Sequence, residues 1–144
     1  MTAQEIETIA RRAIADIANQ FPHLMSVEDE NGQVEISITY PVQLGLKQEV
    51  WLALQNNDEL HLSAGNFWLE WFPCTKPEKV QSYVESVTGF LSGRYRIWEH
   101  YRGGKCVMAE LQEPAADAWN TVGTWSQLCL PWPWRKTFRE VRNV

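Results

Sequence analysis

Three short segments between Gln48 and Phe72 constrain this chain more than any other feature of its sequence. Residues 48–55 place Val50, Leu52 and Leu54 on alternate positions, residues 59–64 do the same with Leu60, Leu62 and Ala64, and residues 67–72 with Phe67, Leu69 and Trp71. A period of two marks a strand with one buried face. Asn56-Asn57-Asp58 and Gly65-Asn66 separate the segments, and both are turn sequences; the second suits a two-residue hairpin with glycine first. Tight closure pairs Leu54 with Leu60, Leu52 with Leu62 and Val50 with Ala64, then Ala64 with Phe67, Leu62 with Leu69 and Leu60 with Trp71. Every one of these apolar side chains falls on a common face. A one-residue slip of either hairpin would turn a whole set outward, so the agreement of two independent registers predicts an antiparallel meander with one buried side.

The flanking segments complete the expected fold. Thr2 and Glu5 form a capping box ahead of Ile6, Ile9, Ala10, Ala13, Ile14, Ile17 and Phe21 at helical spacing, which predicts a helix over 3–20 ended by Pro22. Asn31-Gly32 predicts a tight hairpin that sets Val27 opposite Ile36 and Met25 opposite Ile38, with Val34, Ile36, Ile38 and Tyr40 inward and Glu35, Ser37 and Thr39 outward. Thr75-Lys76-Pro77-Glu78 reads as a second capping box, opening a helix over 76–91 with Val80, Tyr83, Val84, Val87 and Leu91 inward and Gly93 closing it. A hairpin of 94–102 and 105–112 turns at Gly103-Gly104. Beyond Pro114 a short helix over 114–121 and a short strand from Trp125 to Leu130 are expected. Pro131-Trp132-Pro133-Trp134 is expected to be an extended strap, since alternate prolines remove backbone donors. The expected architecture is α+β in a single domain over 1–144. It has an N-terminal helix, a five-strand antiparallel meander, a second helix, a C-terminal β-hairpin and an irregular Trp-rich tail, with the helices on one face of a mostly antiparallel sheet.

Composition excludes several classes. With 44% hydrophobic and 22% charged residues the chain is neither disordered nor low in complexity, and its longest apolar run, Val50 to Leu54, is far too short to cross a bilayer. No apolar signal segment is visible in the first twenty residues. Cys74, Cys106 and Cys129 are odd in number and dispersed, with no CxxC, and read as reduced, buried thiols of a cytoplasmic protein. The net charge of −5 argues against a nucleic-acid partner. Residues 135–144 carry a local +3 from Arg135, Lys136, Arg139 and Arg142 against Glu140, which leaves −8 on the remainder and reads as a solvated, frayed tail that pairs with the acidic body, a nucleic-acid or membrane contact being the sharper option. Eight tryptophans exceed what one small core absorbs, so some are expected at the surface, where aromatics mark binding.

The predicted registers also place the outward side chains. Trp51 and Ala53, His61 and Ser63, and Trp68 and Glu70 occupy the far face of three adjacent strands, with His61 opposite Glu70 and Ser63 between Trp51 and Trp68. If the last hairpin joins that sheet, Arg94, Arg96, Trp98 and His100 extend the face. Such a mixture of aromatic and charged groups has the composition of a recognition surface. The alternative is a second small core in which Trp119, Trp125, Trp132, Trp134 and Phe138 cover Trp51, Trp68 and Trp98. His61 and Glu70 read as a cross-strand hydrogen-bonded pair, with general-base chemistry the sharper option. Glu99 and Glu110 are expected among Tyr95, Ile97, Tyr101, Cys106 and Met108, where apolar surroundings would raise a carboxyl pKa. Gly103-Gly104-Lys105 lacks the spacing of a phosphate loop, and no hydrolase, zinc, calcium or dinucleotide motif is present.

In outline, a small acidic α+β domain with an open sheet face is similar to bacterial secretion chaperones and toxin-neutralising immunity proteins, although the chaperones have fewer strands before the second helix. That resemblance is one of architecture and implies a binding role. The expected function is a protein–protein interaction module using Trp51, His61, Trp68, Glu70, Arg94, Arg96, Trp98 and His100. The alternative is a small-ligand binder with a Trp-lined pocket, and an enzyme using His61 with Glu70 or Glu99 is the third reading. The expected partner is another protein, a basic one fitting the acidic body, with a small molecule or a second copy of the chain as further options. Neither nucleic acid, membrane, metal nor cofactor is expected.

Overall fold

Helix α1, Ala3–Gln20, starts where the sequence places its cap: the Thr2 hydroxyl accepts from the Glu5 amide and the Thr2 amide donates to the Glu5 carboxylate. It buries Ala10, Ala13, Ile14 and Ile17. The structure is a computed structural model that describes residues 1–129, 133 and 135–144. Strands β1 (Val27–Glu28), β2 (Ile36–Tyr40), β3 (Val50–Gln55), β4 (Glu59–Ala64) and β5 (Phe67–Trp71) follow one another as a five-stranded antiparallel meander. The β3–β4 and β4–β5 pairings are those expected, Leu52 with Leu62 and His61 with Glu70 among them. Ile36, Ile38, Tyr40, Val50, Leu52, Leu54, Leu60, Leu62, Ala64, Phe67 and Trp71 are all buried on the inner face.

The first hairpin departs from expectation. Val27 pairs with Thr39 and Glu28 with Ile38, so Asn31-Gly32 lies in a wider loop and Val27 is 63% exposed. Two side-chain interactions, one local and one from α1, override the tight turn. The Asp29 carboxylate accepts from the Asn31 amide, which turns the chain early. Arg11 of α1 grips Glu28 with both terminal guanidinium nitrogens, at 3.2 and 3.1 Å, and this selects the register that faces Glu28 toward the helix.

Helix α2, Pro77–Leu91, has Lys76 at its N-cap and no side-chain cap bond, so the expected Thr75 capping box does not form. Pro77 is the cause: it disfavours helical backbone in the residue before it, and Lys76 is extended at φ −92° and ψ 118°. The helix therefore begins one residue too late for Thr75 to cap it. Tyr83, Ser86, Val87, Phe90 and Leu91 are buried, and α1 and α2 pack on each other and on the inner face of the meander.

The last hairpin does not join the first sheet. Strands β6 (Arg96–Arg102), β7 (Lys105–Ala115), β8 (Ala118–Ser126) and β9 (Lys136–Val141) form a second antiparallel sheet in the order β8-β7-β6-β9. Residues 114–121, expected as a helix, are the β7–β8 hairpin around Ala116, whose φ is +49°. The strand expected from Trp125 begins instead at Ala118 and ends at Ser126. The expected frayed tail is β9, which pairs with β6 from Ile97–Val141 to Arg102–Lys136 and so covers an edge that would otherwise stand open. Asn143 pins it further: its carbonyl oxygen accepts from the amides of Lys47 and Gln48 and its amide donates to the Phe90 carbonyl. Arg142 bonds to the Gly93 carbonyl at 2.6 Å. The Pro131–Trp134 strap lies outside the described residues apart from Pro133, and Cys129, expected to be buried, is exposed.

Side chains rather than ladder bonds join the two sheets. Gly123 of β8 leaves room for Leu69 of β5, since a Cβ there would sit 2.4 Å from the leucine methyl. Asn66, in the β4–β5 turn, donates from its backbone and side-chain amides to buried Glu99 at 2.8 and 2.9 Å, and Tyr101 donates to the same carboxylate at 2.8 Å. Ile97, Ala109, Leu111 and Val141 thereby enter the same apolar cluster as Phe67, Val87 and Ile17.

Candidate functional site

On the outer face of the first sheet, Trp51, His61 and Trp68 stand on adjacent strands as expected. The His61 ring lies 6.3 Å from that of Trp51 and 5.7 Å from that of Trp68. An indole N–H can only donate, so the 2.8 Å bond from Trp68 Nε1 makes His61 Nδ1 an acceptor. The ring proton is then on Nε2, which donates to Glu59 Oε1 at 3.1 Å. Asn56 donates to the same oxygen, and this bond, with that from His61, holds the Glu59 carboxyl below the usual glutamate range against the opposing effect of burial. Trp51 donates to the Ser37 hydroxyl. The result is a tryptophan that is 46% exposed at Trp68, yet tied by its indole nitrogen to a histidine that is 3% exposed.

Glu70 does lie across from His61, but the two do not bond. Both histidine nitrogens are taken, one by Trp68 and the other by Glu59 on its own strand, so His61 has no nitrogen available as a base. Glu70 is exposed and has no ion-pair partner among the described residues. The outward positions of β2 to β5 carry no lysine or arginine. Glu35 and Glu49 flank the same face. Glu49 lines an open depression of about 480 Å³ together with Thr39, Gln48, Trp51, Ser63 and Gly65.

Arg96, Trp98 and His100 share the outer face of the second sheet, so the single Trp51–Trp68–Trp98 face is not formed. The Arg96 guanidinium is sandwiched between the rings of Trp98 and Trp119, at 4.3 and 4.4 Å from their centroids, and bonds to Gln112 and Glu140. Trp98 stacks on Phe138 at 5.5 Å, and the His100 ring meets the same phenylalanine edge-on at 5.2 Å. Arg94 precedes β6 and lies over the Tyr95 ring. Of the alternative cover over Trp51, Trp68 and Trp98, only the part over Trp98 forms: Phe138 stacks on Trp98 and Trp119 reaches it through Arg96, both on the second sheet, while Trp125 packs against the core. Trp132 and Trp134 lie outside the described residues.

Glu99 occupies the expected apolar face of β6 but is fully engaged by Asn66 and Tyr101. Glu110 and Met108 are on the opposite face, contrary to expectation. A bulge between His100 and Tyr101 changes the pairing from Tyr101–Cys106 to His100–Met108, which reverses the parity of β7 beyond it. Glu110 therefore meets His100 Nε2 at 2.7 Å and accepts from Thr121. Burial pushes the Cys74 and Cys106 thiols up, which makes them poor nucleophiles. The Asn66–Glu99 and Asn143 contacts bridge residues 33 and 95 to 96 positions apart, and no local pattern announces them.

Among the described residues no group of three or more His, Cys, Asp and Glu side chains converges as metal ligands, and no described helix is long and apolar enough to cross a membrane. No family model matches the chain, and neither the curated proteins nor the solved structures yield a significant match.

Proposed function

We propose that this protein is a protein-binding module whose recognition surface is the outer face of the first sheet, centred on Trp51 and Trp68, and that its partner presents a basic segment. The observation that carries this reading is the setting of Trp68. A large aromatic group, nearly half exposed, is held by a buried histidine on a rigid sheet, so little side-chain entropy remains to be lost on binding. Glu59 and Glu70 lie on the same face and Glu35 and Glu49 flank it, without a basic residue on the strands' outward positions, which favours a cationic partner. Trp98, Arg96 and His100 are committed to contacts within their own sheet and form no part of this surface.

The test is recovery of the partner from the source cell on tagged protein, followed by titration of the purified pair. Trp68→Ala is expected to cost roughly 2 kcal/mol or more of affinity, and Trp98→Ala to leave it nearly unchanged. Rising salt should weaken binding, mainly through the association rate. A Trp68→Ala or Trp51→Ala loss of only a few tenths of a kcal/mol would remove this face from the interface.

A further inference from the structure

The charge pattern reverses at one end of the second sheet. Arg102 and Lys136 are cross-strand partners at the end of the β6–β9 pairing and face the same side as His100 and Phe138. Lys105 pairs with Arg102 across the β6–β7 turn, and the Gly103 amide donates to the Arg135 carbonyl, which holds the start of β9 against that turn. Arg102, Lys105, Arg135 and Lys136 thus gather at one corner of a chain whose net charge is −5, and none has a carboxylate within ion-pair distance among the described residues. The nearby carboxylate of Glu110 is already held by His100 and Thr121.

A depression of about 310 Å³ opens at this corner, lined by His100, Tyr101, Arg102, Met108, Lys136 and Phe138. Phe138 is 51% exposed, and its ring is braced by Trp98 and His100. Cations beside a braced, half-open aromatic ring suit a ligand with a planar ring and an anionic group: the ring stacks and the anion takes charge-assisted bonds. The volume falls at the lower end of small-molecule sites, roughly 300–1,000 Å³, which fits one nucleotide and is tight for two.

We propose that this corner binds a small anionic molecule with a planar ring, of the nucleoside monophosphate class, with Arg102 and Lys136 on the anion and Phe138 under the ring. The site is on a different sheet from the proposed protein-binding face and stands or falls independently of it.

The experiment is calorimetric titration of the purified full chain with the four ribonucleoside monophosphates, the corresponding nucleosides and inorganic phosphate. Tryptophan fluorescence gives a second readout, since Trp98 stacks on Phe138. Saturable binding by at least one monophosphate is expected, with the nucleoside and phosphate each weaker by about tenfold or more. Arg102→Gln with Lys136→Gln, and separately Phe138→Ala, should each weaken binding by about tenfold or more, with circular dichroism confirming a folded chain. Absence of saturation by all four monophosphates at millimolar concentration would overturn the proposal, as would binding that neither variant changes. A single-stranded oligonucleotide that binds far more tightly, with a salt dependence worth several phosphates, would overturn it in favour of a nucleic-acid surface.

Discussion

Tyr83 donates its hydroxyl to the His61 carbonyl at 2.7 Å from a fully buried position beneath the Trp51–Trp68 face. Burial pushes this phenol far above its usual range. Above pH 10, roughly where an unfolded tyrosine ionises, the folded chain keeps a proton that the unfolded chain releases. Stability therefore falls as pH rises, by about 1.4 kcal/mol per pH unit for this group. Urea unfolding at pH 8 and pH 11 should show that fall, and Tyr83→Phe should make it shallower while costing about 1 kcal/mol at neutral pH. Glu59 works in the opposite sense. Its carboxyl titrates below the usual range, so its contribution is present above that range and is lost as pH falls through its own lower one. Glu59→Gln should flatten the acid limb of the same measurement. Glu99 is a structural pin: Glu99→Ala strands the Asn66 amides and the Tyr101 hydroxyl and is expected to cost about 2–4 kcal/mol in equilibrium unfolding.

At the scale of elements, close packing decides where propensity would mislead. Gly89 lies inside α2, where alanine would gain about 1 kcal/mol of helix propensity. A Cβ there would stand 2.6 Å from the Tyr95 ring, which is too close for either group to remain in place. Overpacking of that kind costs about 1–3 kcal/mol, so Gly89→Ala should lower stability in a thermal melt despite the better helix former. The C-terminal strand depends on Asn143 in a similar way. Asn143→Ala leaves the Lys47 and Gln48 amides and the Phe90 carbonyl without their partner, and should cost about 1–3 kcal/mol and accelerate amide exchange in β9 first. Most elements were legible from periodicity: α1 matches to the residue, and β4 and β5 follow from the alternation and the turns. Residues 114–121 resemble a helix start, because Pro114 is followed by small residues. Only pairing with β7 and the turn at Ala116 reveals a hairpin there.

For the molecule as a whole, the apolar cluster runs without a break from α1 through both sheets, from Ile17 to Val141. Unfolding should accordingly be one cooperative transition. Far-UV circular dichroism and tryptophan fluorescence are expected to give the same urea midpoint, whereas separated midpoints would mean that the second sheet folds as its own unit. The surface is less uniform than the core. Carboxylates lie on and beside the Trp51–Trp68 face of one sheet, while Arg102 and Lys136 stand beside Phe138 on the other. The candidate site was half legible for this reason: the triad Trp51, His61 and Trp68 followed from two short hairpins. The membership of Arg96, Trp98 and His100 depended on which sheet the last hairpin would join.

Local physics in the chain itself determined α1, the inner faces of β2 to β5 and the order of the elements as far as the β6–β7 turn, because period, cap and turn chemistry act over a few residues. It could not determine what each histidine nitrogen would bond to, since Glu70 and Glu59 were both within reach of His61 and only the docking of the Trp68 indole settles the choice. Nor could it foresee the bulge beside His100 or the capture of the C-terminal strand by β6. Those depend on contacts between residues far apart in sequence, whose energies exist only once the two sheets have closed on a common core.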